Sequence, residues 1–251
     1  MKKVIINADD FGLHSSCNQG IIKALTEGVV SSTTLMINLP GAEEAIKLAQ
    51  QKGIKQMGLH LNLTYGRSIS PAKEVPSLVT EEGEFYDQLA ELLENKKVAE
   101  VKHELRRQIE KFMETDLELT HLDSHHHIHL NSGFKEVVAE LAREYELPVR
   151  HPNDEVKEYF KQVGVMTTDY FSDDFYGVGA TLENLKHQLE SFSAGTMEIM
   201  CHPALADNRL KKTSSYNDHR VRELKILTSD ELVEWLKKEG IKIISFVELE
   251  S

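Results

Sequence analysis

Short runs of apolar, β-branched residues alternate with stretches of helical periodicity along most of the 251-residue chain. Such runs are typical of buried strands, whereas apolar residues spaced three and four positions apart are typical of amphipathic helices. We predict strands at 3–10, 31–39, 56–64, 119–130, 147–152, 196–203 and 241–249. We predict helices at 17–28, 42–53, 98–115, 134–145, 182–192 and 229–240.

This alternation predicts an α/β fold in which right-handed crossovers build a parallel sheet covered by helices. The number of units favours a deformed (β/α) barrel of about seven parallel strands, formed by a single domain over residues 1–251; a doubly wound open sheet is the alternative. Thr228 and Glu231 have the spacing of a capping box, and Gly240 is placed as a helix C-cap. Either fold collects ligands at the carboxyl ends of its strands.

Two polar segments, roughly 65–90 and 203–222, interrupt the alternation and are too long for ordinary connections. We expect lids or substrate loops there. The net charge of −12 argues against nucleic acid or an anionic membrane as the main partner and is compatible with a small neutral molecule. No apolar run is long enough to predict a membrane span, and the N-terminus does not have the pattern of a signal peptide.

The chain has two cysteines, Cys17 and Cys201. A core of this size needs no disulfide to stabilise it, so we expect both thiols to be reduced and the protein to be cytoplasmic. Cys201 is followed directly by His202 at the end of the strand in "MEIMCHPA". Because neighbouring strand residues point to opposite faces, the two cannot easily form a nucleophile and base pair, and His202 alone is a candidate general acid or base.

The stretch "HLDSHHHIHL", residues 121–130, holds five of the twelve histidines of the chain. In an extended strand, the side chains of Asp123, His125, His127 and His129 would share one face. Neutral imidazoles bind divalent metals, and a neighbouring carboxylate can fix their tautomer, so this face predicts a metal site. A solvated polar edge with structural hydrogen bonds is the alternative.

Two further strand ends carry candidate ligands. "GLHLNLT" brings His60 to the end of a strand that precedes a long irregular segment, although a single histidine there is by itself a weak signal. "NADDFG" ends the first strand with two adjacent carboxylates, Asp9 and Asp10. Their repulsion is more easily tolerated if one binds a cation while the other handles protons. A turn with a helix N-cap is the alternative for these aspartates.

The motifs "NADDFG", "GLHLNLT", "HLDSHHHIH" and "CHPA" occur in this order and resemble those of the YdjC-like carbohydrate deacetylases, which include the chitooligosaccharide deacetylases. The resemblance runs from the first strand to "CHPA" and covers most of the chain. It implies a deformed barrel of the glycoside hydrolase/deacetylase type and one divalent metal ion. It also implies hydrolysis of N-acetyl groups from small, chitobiose-like amino-sugar oligosaccharides during carbohydrate degradation, and a possible homodimer.

The resemblance places the metal ligands on Asp10, His60 and His125 and the general base on Asp9. His202 would protonate the leaving amine. His127 is an alternative ligand or a residue that supports a ligand from behind, and Arg150 would orient Asp9, bind substrate or form a surface salt bridge. The family implies Mg²⁺, whereas two imidazoles and a carboxylate also suit Zn²⁺ or another transition metal.

Two other functions remain open at this point. A two-metal phosphoesterase would need more carboxylate and histidine ligands and a basic phosphate clamp, and the motif strands supply little arginine or lysine for one. A non-catalytic sugar- or metal-binding protein would retain the ligands but would have no use for Asp9 and His202.

Overall fold

The computed structural model of the chain describes residues 1–207, 210 and 216–249. Its strands are β1 (Lys2–Phe11), β2 (Ser32–Leu35), β3 (Gln56–Leu61), β4 (Glu118–Ser124), β5 (Tyr170–Ser172), β6 (Gly195–Cys201) and β7 (Lys242–Ile243). Its α-helices are α1 (Ser15–Glu27), α2 (Ala42–Gln51), α3 (Leu89–Asn95), α4 (Val98–Met113), α5 (Phe134–Glu144), α6 (Asp154–Gln162), α7 (Leu182–Ser191), α8 (Asp218–Leu227) and α9 (Asp230–Lys238).

The strands form one parallel sheet in the order β4-β3-β2-β1-β6-β5, and β7 pairs with the beginning of β1. The main chain of residues 148–150 extends this sheet beyond β4. Leu122 of β4 donates to the carbonyl of Pro148 and accepts from the N–H of Arg150, while Val149 donates to the carbonyl of Met166, shortly before β5. These bonds close the ring irregularly, as in a deformed barrel. The predicted fold class is therefore confirmed.

The alternation of residues along the strands separates two environments. On β1, Val4, Ile6 and Ala8 belong to the main hydrophobic core, together with apolar residues of the surrounding helices. The intervening Asn7 and Asp9 are also buried, but they hydrogen-bond to each other on the opposite, inner face. Because a strand exposes successive side chains to opposite faces, the apolar positions hold the helices and the polar positions fill the barrel.

The predicted strand over 119–130 is too long. β4 ends at Ser124, and residues His125–Leu130 form a 3₁₀ turn in which His126 and His127 have positive φ angles of 54° and 48°. These left-handed residues break the alternation on which the shared face of the histidines was based. The prediction that Asp123, His125, His127 and His129 lie along one strand face is therefore wrong.

Other element predictions also need correction. Residues 147–152 form no strand and only bridge to β4 through Val149, whereas β5, α3, α6 and α8 were not predicted. The predicted strand over 241–249 is reduced to β7 and a 3₁₀ turn at Phe246–Glu248. Helix α9 is capped by the Ser229 side chain rather than by Thr228, while Gly240 follows the helix with the positive φ that a C-cap requires.

Parts of the two irregular segments have a defined structure. The beginning of segment 65–90 is fixed by Glu104 of α4, a fully buried residue whose two carboxylate oxygens accept from the N–H groups of Ile69 and Ser70. In segment 203–222, α8 begins at Asp218, and residues 208, 209 and 211–215 lie outside the described residues. Within the described chain, the helices are too short or too polar to span a bilayer.

Candidate active site

A cavity of about 410 Å³ opens at the carboxyl ends of the strands. The residues to which the family resemblance gives a catalytic or metal-binding role all line it, whereas Asp123 and His129 do not. The lining residues are Asp9, Asp10, Leu13, His60, Tyr65, Ser124, His125, His126, His127, Asp173, Tyr176, Met200, His202, Tyr216 and Arg220. This is the position at which barrel folds bind their ligands.

A backbone irregularity at the end of β1 brings both adjacent aspartates to this cavity. In a regular strand, Asp9 and Asp10 would point to opposite faces. Instead, the pairing of β1 with β2 shifts register between Ala8 and Phe11, and Asp10 has a positive φ of 67°. Such bulges redirect side chains at strand ends. The two carboxylates consequently line one cavity, and each then has a different cationic partner.

Asp9 is held by Arg150 through both carboxylate oxygens. The Nη1 atom of Arg150 lies 2.6 Å from Asp9 Oδ2, and its Nη2 atom lies 2.8 Å from Oδ1, which also accepts from Asn7 at 2.9 Å. Burial would raise the pKa of Asp9, but the Arg150 guanidinium outweighs burial and holds it well below its usual range. Asp9 is therefore an ionised carboxylate in a fixed orientation.

Arg150 is fully buried and joins three carboxylates from different strands. Besides Asp9, its Nη1 atom lies 3.0 Å from Asp123, and its Nε atom donates to Glu198 at 2.8 Å. Burial raises the pKa of Glu198 to about 7 despite this arginine. Of the alternatives for Arg150, the surface salt bridge is wrong, because the side chain is buried beneath the cavity and holds Asp9.

Asp10 is held by Arg220 through one oxygen only. Arg220 Nη2 donates to Asp10 Oδ2 at 2.6 Å. Asp10 Oδ1 is buried without a hydrogen-bond partner in the described structure and lies 3.3 Å from His125 Nδ1 and 3.6 Å from His60 Nε2. Burial would raise the pKa of Asp10, but Arg220 and His125 hold it well below its usual range. One ionised oxygen thus remains directed at two imidazoles.

His60 is oriented by a carboxylate behind it. Its Nδ1 atom lies 2.7 Å from Asp123 Oδ1, while the other Asp123 oxygen accepts from Thr34 at 3.0 Å. Burial alone would lower the pKa of His60, but Asp123, together with the aspartates of β1, raises it to about 9. With Nδ1 engaged by Asp123, Nε2 is directed at Asp10. A carboxylate behind a histidine is the usual support for a metal ligand.

Asp10, His60 and His125 can hold a metal ion. Each offers one donor atom, and these atoms lie within 4.8 Å of one another. The unpartnered Asp10 oxygen fits this use, because a buried acceptor without a donor is costly unless a cation or water satisfies it. Asp9, His60 and Asp123 form a second cluster, but the Asp9 oxygens in it already accept from Arg150. The first cluster is the better fit.

The other histidines of the tract have different surroundings. His127 lies nearest to Asp173, with Nε2 3.9 Å from that carboxylate, and it belongs to neither donor cluster of the described residues. His126 stacks on His125 at 3.9 Å and contacts Thr64 at 3.0 Å. His129 is fully buried and lies 3.0 Å from the carbonyl oxygen of Arg150. The structure therefore brings only His125 of this tract beside Asp10 and His60.

His202 lies directly after β6 and lines the cavity. Its Nε2 atom is 4.0 Å from Asp9 Oδ2, and its main-chain N–H donates to Glu223 of α8. Burial lowers the pKa of His202 to about 4, so the ring is neutral near pH 7. Cys201 belongs to the hydrophobic core and donates to the carbonyl of Asn7, which agrees with the prediction that it does not act with His202.

Two site residues were missed by the sequence analysis because they lie on α8. Arg220 contacts Asp10 across 210 positions of the chain, and Glu223 accepts from both His202 and the Tyr216 hydroxyl. Burial raises the pKa of Glu223 to about 8. The two residues are three positions apart, which places both on one face of a helix. This spacing could have indicated them, but it lies in a segment that we predicted to be irregular.

A family model described as YdjC-like protein matches residues 3–238. A carbohydrate deacetylase of Brevibacillus brevis is 40% identical over 252 residues, covering 98% of this chain and 99% of the relative. A carbohydrate deacetylase of Geobacillus stearothermophilus is 40% identical over 245 residues, covering 97% and 96%.

Two solved structures are similar to this chain, one with a related sequence and one with a distant sequence. A crystal structure from Enterococcus faecalis, named for cellobiose-phosphate cleavage, has a TM-score of 0.92 and 36% identity, covering 100% of this chain and 99% of that one. A family 4 carbohydrate esterase of Streptomyces lividans, solved with acetate, has a TM-score of 0.51 at 12% identity, covering 97% and 91%. The second likeness is one of fold alone.

Proposed function

Because this chain belongs to the YdjC-like family, we propose that it is a metal-dependent carbohydrate deacetylase that removes N-acetyl groups from small, chitobiose-like amino-sugar oligosaccharides. The observation that carries the proposal is the buried Asp10 oxygen, which faces His60 and His125 without a hydrogen bond. A base candidate, Asp9, and an acid candidate, His202, line the same cavity. Metal-assisted hydrolysis of an amide uses this combination of groups.

In this proposal Asp10, His60 and His125 hold one divalent metal ion. When bound, such an ion acidifies water and polarises the acetamide carbonyl. Two nitrogen donors and one oxygen favour Zn²⁺ or another transition metal, whereas Mg²⁺, which the family resemblance implies, prefers oxygen ligands. We therefore expect Zn²⁺, Mn²⁺ or Co²⁺ to restore more activity to metal-stripped protein than Mg²⁺ does. Full recovery with Mg²⁺ alone would contradict this choice.

Asp9 is the proposed general base. Arg150 keeps its carboxylate ionised and fixes both oxygens, so the orientation toward the cavity is preserved through the reaction. The same contact lowers the basicity of Asp9, because it stabilises the ionised form. Asp9 therefore suits the removal of a proton from an already acidified water molecule and would be a poor base toward ordinary water.

His202 is the proposed general acid. Its ring is neutral before the reaction, and its Nε2 atom lies 4.0 Å from the Asp9 oxygen that would receive the proton. A small movement lets this proton pass from Asp9 to His202 and then to the leaving nitrogen, which cannot depart as an amide anion. The contact between Glu223 and the main chain of His202 fixes the position of the acid.

The cavity is less suited to phosphate ester hydrolysis. Of the described residues that line it, Arg220 is the only arginine or lysine, and its guanidinium already pairs with Asp10. A phosphate clamp generally uses several uncommitted cationic groups. A binding protein without catalysis would not require Asp9 to be held ionised beside His202.

We expect one domain over residues 1–251, a cytoplasmic location, no nucleic-acid or membrane partner, and a possible homodimer. Both cysteines are buried and free, which is compatible with a reducing compartment. Light scattering at several protein concentrations tests the dimer: a mass near 57 kDa, about twice the 28.5 kDa of one chain, would support it, and 28.5 kDa would contradict it.

The test is acetate release from di-N-acetylchitobiose by protein stripped of metal and reloaded with Zn²⁺, Mn²⁺, Co²⁺ or Mg²⁺. We expect acetate from at least one reloaded sample and none from the stripped protein. 4-Nitrophenyl phosphate serves as the control for phosphoesterase activity. Phosphate release in place of acetate would overturn the proposal, as would tight binding of the disaccharide without turnover.

A further inference from the structure

Two tyrosine rings are stacked at one wall of the cavity, and only the outer one is exposed. The rings of Tyr176 and Tyr216 are 4.1 Å apart and nearly parallel, at 7°. Tyr216 is buried with 8% of its surface exposed, whereas Tyr176 is 46% exposed, and both line the cavity. We call these two residues the tyrosine stack. An exposed aromatic ring at a cavity wall provides a flat apolar surface for a ligand.

The inner ring of the tyrosine stack is held in a fixed orientation. The Tyr216 hydroxyl donates to Glu223 and accepts from the N–H of Gly177 at 2.9 Å. This one hydroxyl therefore links Tyr216 to α8 and to the main chain beside Tyr176. Tyr216 also stacks with His219 at 5.4 Å. Because Gly177 directly follows Tyr176, the same hydrogen bond restrains the outer ring. The exposed ring of Tyr176 therefore has a fixed orientation before a ligand binds, which reduces the conformational entropy lost on binding.

His202 lies beside the tyrosine stack and does not cover its outer end. The ring centroid of His202 is 5.4 Å from that of Tyr176 and 5.8 Å from that of Tyr216, and it meets both rings edge-on at 71° and 72°. Nearly equal distances to two stacked rings place His202 at their edges. Neither Tyr216 nor His202 thus covers the outer face of Tyr176, and a flat ligand on that face would place its substituents beside the acid.

We propose that the outer face of Tyr176 binds the pyranose ring that carries the reacting acetamide, and that this contact selects acetylated sugars over other acetylated amines. The inference rests on the proposed deacetylase function. A pyranose presents a face of axial C–H bonds that packs on an aromatic ring, and the leaving nitrogen is attached to that ring. Stacking on Tyr176 therefore brings the nitrogen toward His202, while the acetyl group extends toward Asp9 and Asp10.

The test compares steady-state kinetics with di-N-acetylchitobiose for the wild type, Tyr176→Phe and Tyr176→Leu. Phenylalanine retains the flat face, so KM should stay within about twofold. Leucine retains apolar bulk without the face, so KM should rise about tenfold while kcat changes less than about twofold. Tyr170→Leu is the matched control, because Tyr170 is an exposed tyrosine that packs on Phe192 outside the cavity, and it should behave as wild type.

Two outcomes would overturn the inference: an unchanged KM in Tyr176→Leu, or a fall in kcat at constant KM, which would mean that Tyr176 only positions His202. Acetate release by the wild type tests the deacetylase function separately. If the wild type releases none, saturation-transfer NMR with the same disaccharide decides the stacking. Weaker transfer to the sugar-ring protons in Tyr176→Leu than in the wild type would support it, and equal transfer would contradict it.

Discussion

Asp9 and Asp10 are adjacent in the chain and ionised in the same cavity, yet their arginine partners leave them with different chemistry. Arg150 occupies both oxygens of Asp9 from within the barrel. Arg220 occupies one oxygen of Asp10 from α8 and leaves the other directed at His60 and His125. The role of a carboxylate therefore depends less on residue type than on which of its lone pairs remain available.

The two arginines also differ in the number of carboxylates that each one neutralises. Arg150 is fully buried and neutralises Asp9, Asp123 and Glu198, whereas Arg220 forms its ion pair with Asp10. Removing Arg150 should thus lower the stability of the whole barrel. Removing Arg220 should affect mainly the donor set.

The Arg150→Met variant should be the most strongly affected. Three buried carboxyls lose their cation, and breaking a buried ion pair costs about 3–5 kcal/mol of unfolding free energy. The deficit should be greatest at neutral pH and shrink toward about pH 5, because protonation neutralises the unpaired carboxyls. Urea unfolding at both pH values measures it, with Arg150→Lys as the variant that retains charge. Equal stability of Arg150→Met and wild type would contradict the network.

The Arg220→Met variant should fold but bind metal more weakly. Without Arg220, Asp10 loses the contact that fixes its orientation, and the loss of such a support costs about 10–100-fold in metal affinity. Calorimetric titration of stripped protein with Zn²⁺ measures the change. Arg222→Met on the exposed face of α8 is the matched control. If both variants bind Zn²⁺ as the wild type does, Arg220 does not position Asp10.

The Asp123→Asn variant should bind metal about tenfold more weakly, at the lower end of the same range, because an amide still accepts a hydrogen bond from His60 Nδ1. Asp173→Asn, a change at the exposed carboxylate across the cavity, is the control. The same titration applies. A larger loss in Asp173→Asn than in Asp123→Asn would place the metal near His127 instead of His60.

The smallest effect is expected from His127→Ala. Its Nε2 atom is directed toward Asp173, so Zn²⁺ affinity should stay within about threefold of wild type, whereas His125→Ala should lose a ligand and most of its affinity. Metal content after dialysis distinguishes the two variants. The reverse order would make His127 the ligand.

Local patterns were sufficient to predict which strand ends carry three of the proposed site residues. Asp9, His60 and His202 lie at the ends of strands whose apolar positions pack against helices, and ligands in parallel folds collect at those ends. The resemblance of the four motifs gave each of these residues a role. Such inferences need only the direction of each strand and its period of two.

The rest of the site depends on contacts that local patterns do not encode. His125 reaches the donor set through a turn with left-handed residues rather than by strand alternation, so its placement depends on packing that overrides extended backbone. Arg220 comes from a helix far along the chain, in a segment whose polar composition indicated a loop. One of three interpretations of Arg150 had it orient Asp9. Its burial rules out a surface salt bridge, and its hydrogen bonds show that it holds Asp9.

The most direct test of the division between the two aspartates is to measure bound Zn²⁺ and acetate release from di-N-acetylchitobiose for the wild type, Asp9→Asn and Asp10→Asn, after circular dichroism confirms that each is folded. We predict that Asp9→Asn retains its metal and loses turnover by about 10³-fold, while Asp10→Asn loses both. Loss of metal from Asp9→Asn with retention in Asp10→Asn would contradict the assignment of base and ligand.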